Sequence, residues 1–211
     1  MRFIISLVFL LAIYTSVTGQ RISNADSLAI MNKKFDDWNK GWRIKETTKW
    51  YSETANNGIV IQNSFPKGGA DTDPRGKNFA YRIFFSRVIN ETGTPLELTI
   101  NFPADSFAIP PAPDAYLKVF LPPDTMSLNK ELLYNYGLDL KSYLDNGPNT
   151  PTQLQRTINP NEECLFYVGV LFYQADGVVR AEFVAKEQEL FYRITPQLGS
   201  ELIPCGQIGF K

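Results

Sequence analysis

Histidine is absent from all 211 residues. That absence removes Ser-His and Cys-His nucleophile pairs, imidazole proton shuttles and every metal site that depends on a ring nitrogen. Cysteine occurs only at Cys164 and Cys205, and two thiolates without an imidazole do not complete a zinc site. Charge of one sign is also lacking: 21 basic residues face 22 acidic ones. Such a balance gives no electrostatic pull toward nucleic acid, and no basic run supplies one locally. The chain has no G-x-S-x-G elbow, no P-loop and no G-x-G-x-x-G. After residue 13 no long apolar run appears, so the rest of the chain is not expected to span a bilayer. The expectation is a protein that is not an enzyme and holds neither a cofactor nor a metal.

The one long apolar run is at the start. Arg2, then Phe3 to Ile13 broken only by Ser6, then Val17 and Gly19 at the −3 and −1 positions before Gln20, have the three parts of a secretory signal. A signal over 1–19 implies a secreted or periplasmic protein; a retained anchor is the alternative. The expected organisation is then an N-terminal helix or flexible leader over 20–41 and a single domain over 42–211. For the leader, Ser23-Asn24-Ala25-Asp26 resembles a capping box, and Leu28, Met31, Phe35 and Trp38 follow at helical spacing.

From Trp42 the hydrophobic period falls to two. Leu96, Leu98, Ile100 and Phe102 alternate with Glu97, Thr99 and Asn101, and Val179, Ala181, Phe183 and Ala185 alternate in the same way. Segments 79–89 and 164–173 are apolar on both parities, as central strands covered on both sides would be. Shorter strands are expected at 42–51, 58–63, 115–121, 153–158 and 189–194. The polar stretches Asn90–Pro95, Asn159–Asn161 and Gln174–Gly177 supply the turns. The fold class that follows is mainly β, an antiparallel sandwich. Residues 103–124 hold six of the fourteen prolines, which confines that segment to an edge or the surface. Residues 125–144 read as a helical insertion, capped by Thr125, with Met126, Leu128, Leu132 and Leu133 on one stripe and Gly137 as a break. Deleting 123–146 is expected to leave a folded sandwich.

Several local patterns admit two readings. Cys164 and Cys205 either close a disulfide, which for a loop of roughly 40 residues contributes about 4 kcal/mol, or are two separate buried thiols. Asp71-Thr72-Asp73-Pro74-Arg75-Gly76 begins like an EF-hand loop. Arg75 at the fifth position and Arg82 where the bidentate glutamate belongs favour a surface turn after a mobile Lys67-Gly68-Gly69 loop. Asn90-Glu91-Thr92 is a glycosylation acceptor pattern in a turn compatible with exposure. Trp38, Trp42 and Trp50, with Tyr51 adjacent, either stack on sugar rings or fill one end of the core. Tyr134, Tyr136 and Tyr143 on the insertion, beside Pro122 and Pro123, form either a contact surface or a structural lid.

Two phrases, Arg87-Val88-Ile89-Asn90-Glu91-Thr92-Gly93-Thr94-Pro95-Leu96-Glu97-Leu98-Thr99-Ile100 and Ile158-Asn159-Pro160-Asn161-Glu162-Glu163-Cys164-Leu165-Phe166-Tyr167-Val168, resemble the strand–turn–strand segments of immunoglobulin-like bacterial domains. Their separation resembles that of BsuPI-type proteinase inhibitors and related exported sandwiches. The resemblance implies an immunoglobulin-like β-sandwich and no particular activity.

The functional expectation is an exported, non-enzymatic binding or assembly module with a protein or glycan partner, making contact through 103–124 and the insertion. A glycan-binding module using Trp38, Trp42, Trp50 and Tyr51 is the alternative. A hydrolase using carboxylates such as Asp71, Asp73, Asp105 or Asp114 requires two of them to converge in one cleft.

Overall fold

The computed structural model describes residues 50–73, 76–112, 114–146, 150–175, 177 and 179–211, without the side chains of 142, 145 and 146. The signal, the leader helix, Trp38 and Trp42 lie outside the described residues. Among the described residues, twelve strands form two antiparallel sheets. They are β1 (Trp50–Asn56), β2 (Ile59–Ser64), β3 (Lys67–Thr72), β4 (Asn78–Asn90), β5 (Leu96–Phe102), β6 (Phe107–Ala108), β7 (Tyr116–Phe120), β8 (Thr152–Ile158), β9 (Glu163–Tyr173), β10 (Arg180–Lys186), β11 (Glu189–Thr195) and β12 (Leu202–Phe210). One sheet runs β1-β2-β4-β9-β7-β6, with β3 also on β4; the other runs β10-β11-β12-β5-β8.

The chain forms a mainly β, two-sheet sandwich, and the alternation in β5 shows why. Leu96, Leu98, Ile100 and Phe102 are at most 1 % exposed, while Glu97, Thr99 and Asn101 face outward. Their inward side chains meet Phe84, Val88, Val168, Val170 and Phe172 of the first sheet and Phe183, Tyr192 and Ile208 of their own in one apolar core. Polar side chains complete the closure. Asn63 on β2, 1 % exposed, accepts from Ser86 Oγ (2.9 Å) and from the Phe183 amide of β10 (3.1 Å), and donates to Ser52 Oγ (3.1 Å). A buried amide with both ends satisfied holds the edge strand of one sheet against the other.

At one end, two crossovers between the sheets meet at Asn90. Its Nδ2 donates to the carbonyls of Thr94 and Ile158, both at 2.9 Å, and its Oδ1 accepts from Thr92. The side chain is wholly buried. This corrects the reading of Asn90 as an exposed glycan acceptor: a sugar on Nδ2 would displace those two bonds and find no space.

Strands β4 and β9 are apolar on both faces because a second layer covers the outer one. Phe79, Tyr81, Ile83 and Phe85 of β4, with Tyr167, Leu171 and Tyr173 of β9, pack under Met126, Tyr136, Leu138 and Leu140. Gly169 makes room for this layer. A Cβ there would lie 2.2 Å from Phe120 Cζ, and the Phe120 ring in turn stacks on Tyr143 at 4.5 Å and 8°.

Segment 126–144 is therefore a roof, and three expectations about it change. It contains two 3-10 turns, Leu128–Lys130 and Tyr134–Gly137, and one short helix, α1 (Leu140–Asn146). Ser127, not Thr125, precedes the first turn. The proposed stripe splits, with Met126 buried but Leu132 and Leu133 exposed by 73 % and 51 %. Residues Met126, Tyr136, Leu138 and Leu140 cover an aromatic sheet face, which deleting 123–146 would expose.

The other differences are local. Lys67-Gly68-Gly69 belongs to a strand, since β3 pairs with β4 from Lys67↔Ile83 to Thr72↔Asn78. The Asp73 side of the turn is closed by its own bonds: Gly76 N donates to Asp73 O and Lys77 N to Asp73 Oδ1. Strand β12, which has no clean alternation, and the two-residue β6 were not anticipated. The proline-rich stretch does run along an edge, through β6 and β7. Cys164 on β9 and Cys205 on β12 are unbonded, so the disulfide gives way to two separate thiols. Among the described residues no helix is long and apolar enough to cross a membrane.

Candidate functional site

Residues 131–137 project from the roof with a backbone that unaided chain would not adopt. Asn135 and Tyr136 have φ of 46° and 56°, followed by Gly137 at 70°. Left-handed backbone at a bulky non-glycine residue costs of the order of 1–3 kcal/mol and persists only where surrounding contacts outweigh it.

Those contacts are specific. The Tyr136 ring is 4 % exposed, edge-on to Phe85 at 4.8 Å, and its hydroxyl donates to Phe65 O at 2.5 Å. Its carbonyl accepts from the buried Tyr167 hydroxyl at 2.7 Å. From β3, the Lys67 ammonium donates to the carbonyls of Glu131 (2.5 Å) and Leu133 (2.8 Å) and lies 4.1 Å from the centre of the Tyr136 ring. Burial lowers the Lys67 pKa, against the opposing pull of Glu131. Asn135 is buried, and its Nδ2 donates to the Tyr81 hydroxyl at 3.2 Å, which also bonds the Tyr134 hydroxyl at 3.1 Å.

The strained backbone is thus fixed from below, and it presents Leu132, Leu133 and Tyr134 to solvent at 73 %, 51 % and 74 % exposure. Three successive large apolar side chains on a rigid turn differ from the scattered exposed residues of an ordinary surface. Between this tip and the sheet lies a cleft of about 300 Å³ lined by Asp71, Tyr81, Tyr134, Asn135, Asp139 and Lys141, with Leu138, Leu140 and Leu144 as its apolar wall.

The three tyrosines of the insertion separate into two roles. Tyr136 and Tyr143 are roof side chains; Tyr143 stacks on Phe120, and burial pushes its pKa up to about 12. Only Tyr134 faces outward. The aromatic cluster near β1 is occupied within the fold: Trp50 is half-buried, edge-on to Phe85 at 5.2 Å, and Tyr51 meets Phe65 at 6.1 Å with the Arg180 guanidinium 5.8 Å from its ring centre. Of the four carboxylates named from the sequence, Asp71 lines the cleft, together with Asp139. Asp71 is on β3, Asp73 in the following turn, Asp105 between β5 and β6, and Asp114 between β6 and β7. Among the described residues no three or more Asp, Glu or Cys side chains group to hold a metal.

Lys67, Tyr81 and Asn135 escaped sequence reading. Lys67 sits beside two glycines that read as loop, and Tyr81 lies in an apolar run. Asn135 precedes Tyr-Gly, the one local sign of a left-handed turn. Comparison of the chain with protein-family models, with curated proteins and with solved structures finds no match.

Proposed function

We propose that this chain is an exported, non-enzymatic binding module whose contact surface is the tip of the roof, residues 131–137. The observation that carries the reading is a strained, clamped turn that holds Leu132, Leu133 and Tyr134 in water. Strain retained at a surface is a marker of function, because stability alone would relax it. A rigid presenting element also lowers the entropy cost of association. Fully burying a leucine against a partner contributes about 1.5–3 kcal/mol, so two leucines and a tyrosine suffice as the centre of a small interface. The lack of histidine and of any catalytic motif supports a binding role over catalysis. The signal-like start supports export, which puts the partner outside the cytoplasm.

The test is a paired capture experiment. The chain and a Leu132→Asp/Leu133→Asp variant, immobilised at equal density, are exposed to extracellular and envelope fractions of the source cells. Both leucines point to solvent, so the variant keeps the thermal unfolding midpoint of the parent. The expected outcome is that proteins retained by the parent are lost from the variant. An identical set on both surfaces overturns the assignment.

A further inference from the structure

We infer that the slot between the inner faces of the two sheets, at the end marked by Phe210, is a binding site for a short alkyl chain on an uncharged polar head. The slot shares no residue with the tip of the roof, and the inference does not rest on the contact proposed there.

The starting observation is an inward-facing aromatic that stands in water. Phe210 pairs with Leu96, and Ile208 with Leu98; side chains directly opposite in an antiparallel pair share a face. Phe210 therefore points the same way as Leu96 and Ile208, which are core residues at 0 % and 2 % exposure, yet it is 52 % exposed itself. The cause is a slot of about 330 Å³ beside it. Thr54, Ile59 and Ile61 supply the wall from the first sheet, Thr54 sharing a face with the buried Ile61 that it pairs with. Ala185, Ile208 and Phe210 supply the wall from the second, Ala185 lying opposite the buried Leu190. Every one of these side chains is on an inner face, so the slot continues the core that contains Ile61, Leu190 and Ile208. Interiors are close-packed, and an open slot with inner-face walls is a place where a group from outside completes the core.

The walls describe that group. Facing sheets lie about 10 Å apart, which leaves room for one layer of side chains between them. A flexible chain of methylenes fits such a layer and follows the branched surface of Ile59, Ile61 and Ile208. The volume is at the lower end of small-molecule sites, which suits a short chain. The polar part of the lining selects the head. Asn56, Asn57 and Gln188 carry neutral amides that both donate and accept, and the single charge is the exposed Glu187 carboxylate. No lysine or arginine lines the slot, so a fatty-acid carboxylate would meet Glu187 with no cation to receive it. A head of hydroxyls or amides pairs with the three amides in either direction. The exposed Glu187 is solvated and adds little attraction for a cationic head.

The experiment is a titration of the full chain with labelled isoleucine methyl groups, read by nuclear magnetic resonance below the micelle threshold of each probe. The probes are hexyl, heptyl and octyl glucoside, octanoate, octyltrimethylammonium and benzyl alcohol. Octyl glucoside is expected to shift the methyls of Ile59, Ile61 and Ile208 saturably while Ile83, under the roof, stays in place. Affinity should rise about fourfold per methylene from hexyl to octyl. Octanoate should bind about tenfold more weakly than octyl glucoside at neutral pH, because its charge has no partner in the slot. Ala185→Leu puts a side chain into the slot, so binding should fall about tenfold or more while the unfolding midpoint holds or rises. Phe210→Ser, at a residue already half in water, should weaken binding about fivefold and keeps the test open if Ala185→Leu does not fold. No shift of those three methyls with any glucoside overturns the inference. So does affinity that stays level with chain length, or tighter binding of benzyl alcohol or a charged octyl probe than of octyl glucoside. Full affinity in a folded Ala185→Leu or in Phe210→Ser overturns it too. Shifts of the same methyls on concentrating the chain alone would assign the slot to a second copy and overturn it likewise.

Discussion

The two sheets meet water on different terms. In the sheet built on β4 and β9, every residue from Phe166 to Tyr173 is buried, because the core lies under one face and the roof over the other. In the sheet built on β5 and β11 burial alternates, and outward residues such as Phe191 and Arg193 are only half-covered. The same backbone geometry therefore carries two different hydrophobic patterns, and the pattern reports how many layers rest on the strand. A run that is apolar on both parities states that a second layer exists. It does not state what that layer is made of.

The sharpest way to break this comparison is to remove one ring from each outer face. Phe85→Ala, 2 % exposed beneath Tyr136 and Trp50, is expected to lose about 3–5 kcal/mol in urea unfolding. Phe191→Ala, half-buried on the outer face between Val184 and Pro204 of the neighbouring strands, should lose about 1 kcal/mol or less. Equal losses would mean that the roof adds no packing.

A second test uses alkali. Burial under the roof pushes the phenols of Tyr143 and Tyr167 up to about 12, against about 10 in the unfolded chain. A folded pKa above the unfolded one means that these groups contribute fully below pH ~10. Their contribution is lost as the pH rises toward 12, since the unfolded chain releases the protons first. Circular dichroism against pH should show unfolding in that window. The Tyr143 hydroxyl is buried without a partner, so Tyr143→Phe should move the midpoint to higher pH.

The smallest effect separates the two thiols, one in each sheet. Burial pushes Cys205 up to about 12 and also raises Cys164, which is less covered. Alkylation of the folded, unreduced chain at neutral pH, followed by mass spectrometry, should label Cys164 first. Cys205 should react only on unfolding. A chain that takes no label even after unfolding would restore the disulfide.

How much was legible follows the same physics. β5 was readable because one face is wet and the period is an unbroken two. β4 and β9 were readable as long apolar runs. β12 was not, because its pairing with β11 slips between Leu190↔Gly206 and Phe191↔Pro204. The slip moves burial from Ile203 and Cys205 to Ile208 and destroys the period. β3 was not readable either. Its Lys-Gly-Gly-Ala-Asp-Thr composition has little preference for a strand, and it is held by the longer β4 beside it. Of the candidate site, the insertion and Tyr134 were visible as residues out of step with their surroundings. The Lys67 clamp and the Asn135–Tyr81 bond were not, since both join segments more than fifty residues apart.

Alone, then, the order of residues determined a β-sandwich with central strands covered twice, and it left no histidine for common catalysis. Those properties are local or compositional: alternation needs only neighbours in the chain, and an absent residue is absent in any fold. Which side chains face water on the roof, that Asn90 is tied down while Leu132 stands free, and that the two thiols lie apart were decided by tertiary structure. Each depends on which distant segments come together, and burial of one partner is set by the position of the other.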